Sequence, residues 1–123
     1  MSEQHFTIFY VNDVVASTAF YERLLGRAPI DASPGFAMFG LSEGAMLGLW
    51  RRGDVQPAPR AAAGAAELAL VATDNSAVDQ RHAQWRAAGI EIVQAPTAMD
   101  FGYTFTGIDP DGHRVRVFAP AAP

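Results

Sequence analysis

Three histidines, thirteen carboxylates and an Arg-x-Arg in the last strand-like segment are the groups with which this chain could do chemistry; it has no cysteine. Without cysteine there is no thiolate nucleophile, no disulfide and no Cys-ligated zinc or iron–sulfur centre. His5 lies near the N-terminal end, His82 in a helical pattern and His113 directly after a turn glycine. None has a Ser or Asp at a spacing that suggests a nucleophilic triad. "DPDG" at 109–112 lacks the further oxygen ligands of a calcium loop and reads as a β-turn. No G-x-G-x-x-G follows a strand, so there is no dinucleotide fingerprint. What remains is non-covalent recognition. Trp50 offers an indole face on which a planar ring can stack, and Met46 a soft wall beside it. Arg116 carries a planar fork suited to a carboxylate or phenol, and Glu67 is a carboxylate it can pair with. A packing role stands beside each: Trp50 covering a subunit seam, Met46 filling a core, Arg116 and Glu67 as a structural ion pair. Trp85, in "HAQWRAAG", reads as helix packing, and Arg114 as a solvated rim residue.

The elements that must position these residues come in two similar series. "FTIFYV" at 6–11 is β-branched and aromatic, a strand. Asn12-Asp13 then caps a helix over "VVASTAFYERLLG", where Val14, Ala16, Phe20, Leu24 and Leu25 recur at near-helical spacing and Gly26 is the stop. Strands follow near 28–32 and at 36–41, then a Ser42-Glu43-Gly44 turn and "AMLGLW" at 45–50. After "RRGDVQPAPRAAAG", rich in Pro, Ala, Gly and Arg, the pattern restarts. "AELALVA" is a strand, Asp74 a cap, "SAVDQRHAQWRAAG" a helix ended by Gly89, and "IEIV", "FGYTFTGI" and "HRVRVF" are three more strands. The expectation is a single α+β domain over 1–123, with module one at about 5–50, a linker at 51–64 and module two at about 65–119. Seven residues before Asp13 and Asp74 stand Phe6 and Glu67. With one residue inserted in the second turn, Gly40 matches Gly107, Gly44 matches Gly112, Gly48 matches Arg116 and Trp50 matches Phe118.

Side chains alternate along a strand. Val115 and Val117 share the face suited to packing beneath helices; Arg114, Arg116 and Phe118 share the other, and through the repeat so do Met46, Gly48 and Trp50. In the opening strands Phe6, Ile8 and Tyr10 alternate with Thr7, Phe9 and Val11, and Glu67, Ala69 and Val71 with Leu68, Leu70 and Ala72. In the central strand of module one, either Phe36 and Met38 or Ala37 and Phe39 face inward. Tyr103 and Phe105, in the matching strand, stand equally between core and pocket. A sheet with helices on one side only needs a cover or a ligand on the other, and aromatic residues mixed with a few charges describe a pocket.

Half of the 123 residues are hydrophobic and 11% aromatic, enough for a packed core. Net charge is −4 and lysine is absent; Arg51-Arg52 is the nearest thing to a basic stripe, so no nucleic-acid partner is expected. The N-terminal segment has no signal-peptide pattern, and no apolar run approaches the roughly 20 residues of a membrane span. A cytoplasmic protein without membrane contact is expected.

"FYVNDVVASTAFYERLLG" and "DPDGHRVRVF" resemble the vicinal oxygen chelate superfamily, which includes glyoxalase I, extradiol dioxygenases, fosfomycin-resistance enzymes and bleomycin-resistance proteins. The resemblance implies paired βαβββ modules forming a cup-shaped mixed sheet with helices on the outer face, completed as a homodimer. In metal-dependent members four positions supply His and Glu ligands; carried over by motif they fall on Phe6, Gly48, Glu67 and Arg116. Only Glu67 can bind a metal, and His5 sits one residue from a ligand position. No metal, no cofactor and no catalytic residue are therefore expected. "FAMFGLSEGAMLGLW" and "DFGYTFTGIDPDGHRVRVF" are most similar to the non-metal branch, the phenazine-antibiotic resistance proteins. That resemblance implies a protein that sequesters a planar aromatic compound or antibiotic, and the pseudo-symmetry of the two series sets Arg116 and Glu67 facing each other across the cup. The ligand set is then Phe6, Phe36, Met38, Met46, Gly48, Trp50, Glu67, Tyr103, Phe105 and Arg116. The alternatives are a metal-dependent glyoxalase- or dioxygenase-type lyase or oxidoreductase, and a dimeric scaffold with a filled cup.

Overall fold

Both helices begin where an aspartate carboxylate closes on the first turn. Asp13 Oδ1 accepts from Ala16 N at 3.0 Å and Asp74 Oδ1 accepts from Ala77 N at 2.8 Å. Each caps an otherwise unpaired N–H, and the chain leaves a strand in extended conformation to enter the helix. In the computed structural model, which describes residues 4–122, this happens once in each of two compact units, one ending at Ala63 and the other starting at Gly64.

The first unit runs β1 (His5–Val11), α1 (Val14–Leu25), β2 (Asp31–Ala32), β3 (Phe36–Ser42) and β4 (Ala45–Arg51). Its sheet has the order β1-β4-β3-β2, with β1 parallel to β4 and the other pairs antiparallel. Gly26, at φ 70°, ends α1 in the left-handed region that glycine tolerates. A 3₁₀ turn at Arg52–Asp54 follows β4, and the Arg52 guanidinium donates to the Ala61 carbonyl at 2.8 Å. The second unit repeats the pattern: β5 (Glu67–Val71), α2 (Asn75–Ala87), β6 (Glu91–Met99), β7 (Gly102–Ile108) and β8 (Arg114–Pro120), in the order β5-β8-β7-β6 with β5 parallel to β8. The architecture is α+β, two βαβββ modules, each a mixed four-stranded sheet carrying one helix.

Burial sorts the strand faces. In the first unit Phe9, Val11, Ala37, Phe39, Leu47 and Leu49 are buried together with Phe20, Tyr21 and Leu24 of α1. Ala37 and Phe39 therefore pack on the helix side, and Phe36 and Met38 take the open side. In the second unit Trp85 of α2 meets Phe105 edge-to-face at 4.9 Å, over Val115 and Val117, which are also buried. A Cβ at Gly107 would lie 3.0 Å from the Trp85 ring, so glycine lets the indole settle onto β7.

Two expectations change. "IEIV" is only the start of β6, which continues through Pro96 to Met99 because register shifts at Ile92/Gln94 and Gln94/Thr97 absorb the proline. The match of Gly40 to Gly107 is one residue out. Met38 opposes Gly48 and Thr106 opposes Arg116, so Phe39 corresponds to Gly107. The cause is an irregularity between Gly40 and Ser42 that adds a residue to β3. Among the described residues no helix is long and apolar enough to cross a membrane.

Candidate functional site

The open face of the first unit is apolar and aromatic. Parallel register sets Phe6 beside Met46, Ile8 beside Gly48 and Tyr10 beside Trp50, and the antiparallel pair adds Met38 opposite Gly48 and Phe36 opposite Trp50. Gly48 is where these side chains converge: a Cβ there would stand 3.0 Å from Phe36 Cζ and 3.3 Å from Ile8 Cγ1. Tyr10 and Trp50 meet edge-to-face, centroids 6.2 Å apart at 79°. Phe6, Ile8 and Tyr10 remain 46%, 40% and 36% exposed, a contiguous stripe along one strand rather than scattered surface residues.

The open face of the second unit is built around one guanidinium. Arg116 Nε donates to Glu67 Oε2 at 2.6 Å and Nη2 donates to Glu67 Oε1 at 3.3 Å, a side-on bidentate pair between the adjacent strands β8 and β5. Nη1 donates to Gln94 Oε1 at 2.9 Å and to Thr104 Oγ1 at 3.2 Å. Thr106 Oγ1 donates to the same Gln94 oxygen at 3.0 Å, and Thr104 Oγ1 donates to the Val117 carbonyl at 2.9 Å. Four of the five N–H bonds of the fork are thus engaged, and the second hydrogen of Nη2 has no acceptor among the described residues. The Phe101 ring lies 5.7 Å from the guanidinium carbon and meets Phe118 edge-to-face at 5.8 Å. The Arg116 side chain is 15% exposed and Glu67 34%.

Of the ten residues expected in the site, six, Phe6, Phe36, Met38, Met46, Gly48 and Trp50, share the open face of the first unit. Glu67 and Arg116 come together in the second, but as neighbours in one sheet rather than facing each other across a cup. Tyr103 and Phe105 are corrected: both point to the helix side. Phe105 is fully buried between Trp85 and His82. The Tyr103 hydroxyl donates to Asp79 of α2 at 2.8 Å, and that hydrogen bond, with some burial and the nearby negative charge, holds its phenol above the usual tyrosine range. Thr104 and Thr106 take the open positions on β7, and with Gln94 and Phe101 they are the residues that sequence reasoning missed. A signal existed. The Asp109 carboxylate accepts from Asp111 N at 2.9 Å and His113 N at 2.8 Å, fixing the turn between β7 and β8. Counting outward from that turn sets Thr106 opposite Arg116 and Thr104 opposite Phe118. Gln94 had no such signal, because the irregular register of β6 hides its face.

A cleft of about 740 Å³ lies on the helix side of the second unit, bordered by Asp74, Asn75, Met99, Tyr103 and Pro120. Its most obvious charge, Asp74, is already spent on capping α2. Size alone does not make it the better candidate, because the convergent polar groups lie on the other face of the sheet.

The sequence profile described as Glyoxalase/Bleomycin resistance protein/Dioxygenase superfamily matches residues 4–117. The chain belongs to this superfamily. It is 30% identical over 115 residues to the phenazine antibiotic resistance protein EhpR of Enterobacter agglomerans, a match covering 89% of this chain and 86% of that one. A protein of Agrobacterium tumefaciens solved by NMR in solution is 46% identical, with a TM-score of 0.86 over 99% of this chain and 100% of the other. A glyoxalase-related enzyme of Fulvimarina pelagi shares the fold at a TM-score of 0.81 and 23% identity, over 97% and 88% of the two chains.

By the motif resemblance, the positions that supply His and Glu ligands in metal-dependent members of the superfamily would fall on Phe6, Gly48, Glu67 and Arg116. The residues present do not fit a divalent ion. Phe6 and Gly48 have no donor atom, and both Glu67 oxygens already accept from Arg116. A cation at Glu67 would also meet a guanidinium at hydrogen-bond distance, a like charge that opposes its binding. Among the described residues no three of His, Asp and Glu gather where an ion could be held.

Proposed function

We propose that this chain is a resistance protein that acts by binding a planar aromatic compound on an open sheet face, without turning it over, and that it works as a homodimer in the cytoplasm. The observation that carries the reading is the aromatic face of the first unit. Trp50 and Tyr10 are set at right angles, and Phe36 and Ile8 lean over the side-chain-free position at Gly48. A flat heteroaromatic ring laid against such a face replaces water on apolar surface and gains stacking beyond area, roughly 1 kcal/mol per aromatic partner. Two further points support it. The four positions that hold a metal in catalytic members of the superfamily carry no usable ligand set, and the relative EhpR is named for resistance to phenazine antibiotics.

The test is a titration with unsubstituted phenazine and substituted relatives, followed by calorimetry. Saturable micromolar binding is expected, and Trp50→Ala should weaken it at least about tenfold, the equivalent of 1.4 kcal/mol. Unchanged affinity in Trp50→Ala would remove the indole from the site. No binding of any planar heteroaromatic would overturn the proposal.

A further inference from the structure

We infer that the Glu67–Arg116 pair selects uncharged ligands: it recognises a planar aromatic compound through a carboxamide- or lactam-like edge, an acceptor beside a donor, and discriminates against the corresponding carboxylate. This rests on the reading that the chain binds planar aromatic compounds.

An arginine on an aromatic-lined face invites the opposite expectation, a salt bridge to an acidic ligand. The geometry removes the reason for it. The guanidinium charge is already matched by Glu67 through two hydrogen bonds, and Nη1 is filled by Gln94 and Thr104. What remains is a locally neutral group with one unspent N–H on Nη2. It stands beside carboxylate oxygens that keep lone pairs for a second hydrogen bond. A ligand carboxylate placed there would give up its hydration for a guanidinium already matched by Glu67, and would meet the Glu67 carboxylate at close range; Arg114, beside Glu67 in the register, is exposed, so solvent screens its charge and it offsets this only weakly. A ligand amide meets no such opposition: its carbonyl accepts from Nη2 and its N–H donates to Glu67. The amide of Gln94 adds to the donor side, since among the described residues its Nε2 is engaged only by the Met99 thioether at 3.4 Å.

The rest of the network keeps this edge in place. Gln94 is fixed through its oxygen by both Arg116 and Thr106, and Thr104 is anchored to the Val117 carbonyl. Phe101 covers the guanidinium at 5.7 Å and is itself held edge-to-face by Phe118. The donor and acceptor are therefore presented at a fixed spacing next to an aromatic wall, a preorganised edge rather than a mobile surface charge. Glu67 is then the specificity determinant, and it sits at a position where metal-dependent members of the superfamily carry a ligand to the ion.

The experiment compares phenazine-1-carboxamide, phenazine-1-carboxylate and unsubstituted phenazine by calorimetry at neutral pH, on the full chain and on Glu67→Gln. The carboxamide should bind the full chain at least about tenfold more tightly than the carboxylate. Glu67→Gln should lose or invert that ratio, each affinity being taken relative to unsubstituted phenazine on the same protein, because removing the acid leaves Arg116 with its charge unmatched. An unchanged thermal melt separates a specificity change from a folding defect. A carboxylate bound as well as or better than the carboxamide by the full chain would overturn the inference and leave the binding function standing. So would a preference that survives Glu67→Gln. If none of the three compounds binds, the proposed function falls and takes the inference with it.

Discussion

Tyr103 and Phe105 show how two aromatic side chains on one strand can be mistaken for a ligand wall when both serve the helix beneath. Phe105 is enclosed by Trp85 and His82, so Phe105→Ala is expected to cost about 3–5 kcal/mol of unfolding free energy, as for other large aromatic truncations in cores. A denaturant midpoint measured for the variant checks this; a change close to zero would put the ring outside the core. Tyr103 makes a pH prediction. Its phenol is bonded to Asp79 and holds its proton more tightly in the folded chain than in the unfolded one. The contribution is therefore present in full below the unfolded tyrosine pKa of about 10 and is lost as pH rises through the higher folded value. Denaturation followed from neutral to strongly alkaline pH should show wild type losing more stability over that rise than Tyr103→Phe. Parallel curves for the two proteins would mean that the Asp79 hydrogen bond is not held in solution.

At the scale of elements, the same few devices are used twice. Asp13 and Asp74 each satisfy one helix-end donor, so Asp13→Ala and Asp74→Ala should each lose about 1 kcal/mol, read as a lower melting temperature in each single variant. Gly102 begins β7 at φ 149°, and a Cβ there would overlap the Ala119 carbonyl oxygen across the strand pair. Gly102→Ala is therefore expected to lose more than about 1 kcal/mol, with the damage confined to the second unit in an exchange or NMR experiment. These elements were legible because their signals are local: an aspartate before an apolar helical pattern, a glycine at a stop, Asp-Pro-Asp-Gly at a turn. Matching the two series also paired Phe6 with Glu67 and Gly48 with Arg116, as the strand registers have it. The faces of β3 were not legible: its alternating positions are apolar or small on both sides, so period-two reasoning had no contrast to work with. Those of β7 were legible only through the register counted from the Asp109 turn. Gln94 was lost for a related reason, since two register shifts in β6 break the alternation that would have assigned it.

At the scale of the whole molecule, one repeated module has been furnished in two ways. The first unit fills its open face with Phe6, Ile8, Tyr10, Phe36 and Trp50; the second puts a hydrogen-bonded ion pair at the corresponding place. Protein purified without chelators is expected to hold only substoichiometric iron, manganese, nickel or zinc by elemental analysis, since one carboxylate already bound by arginine is a poor ligand set. The exposed stripe of Phe6, Ile8 and Tyr10 raises the sharper question of what covers it, a ligand or a second copy of the chain. The proposed homodimer should scatter light as about twice the 13.2 kDa chain at micromolar concentration. Phe6→Glu then separates the two covers. A charge there should weaken phenazine binding if the stripe is a ligand wall, and should shift the mass toward the monomer if the stripe is the subunit seam. The aromatic geometry around Gly48 favours the first outcome, with binding weakened and the mass unchanged. A monomeric variant with phenazine affinity retained would move Phe6 out of the binding face and into the interface.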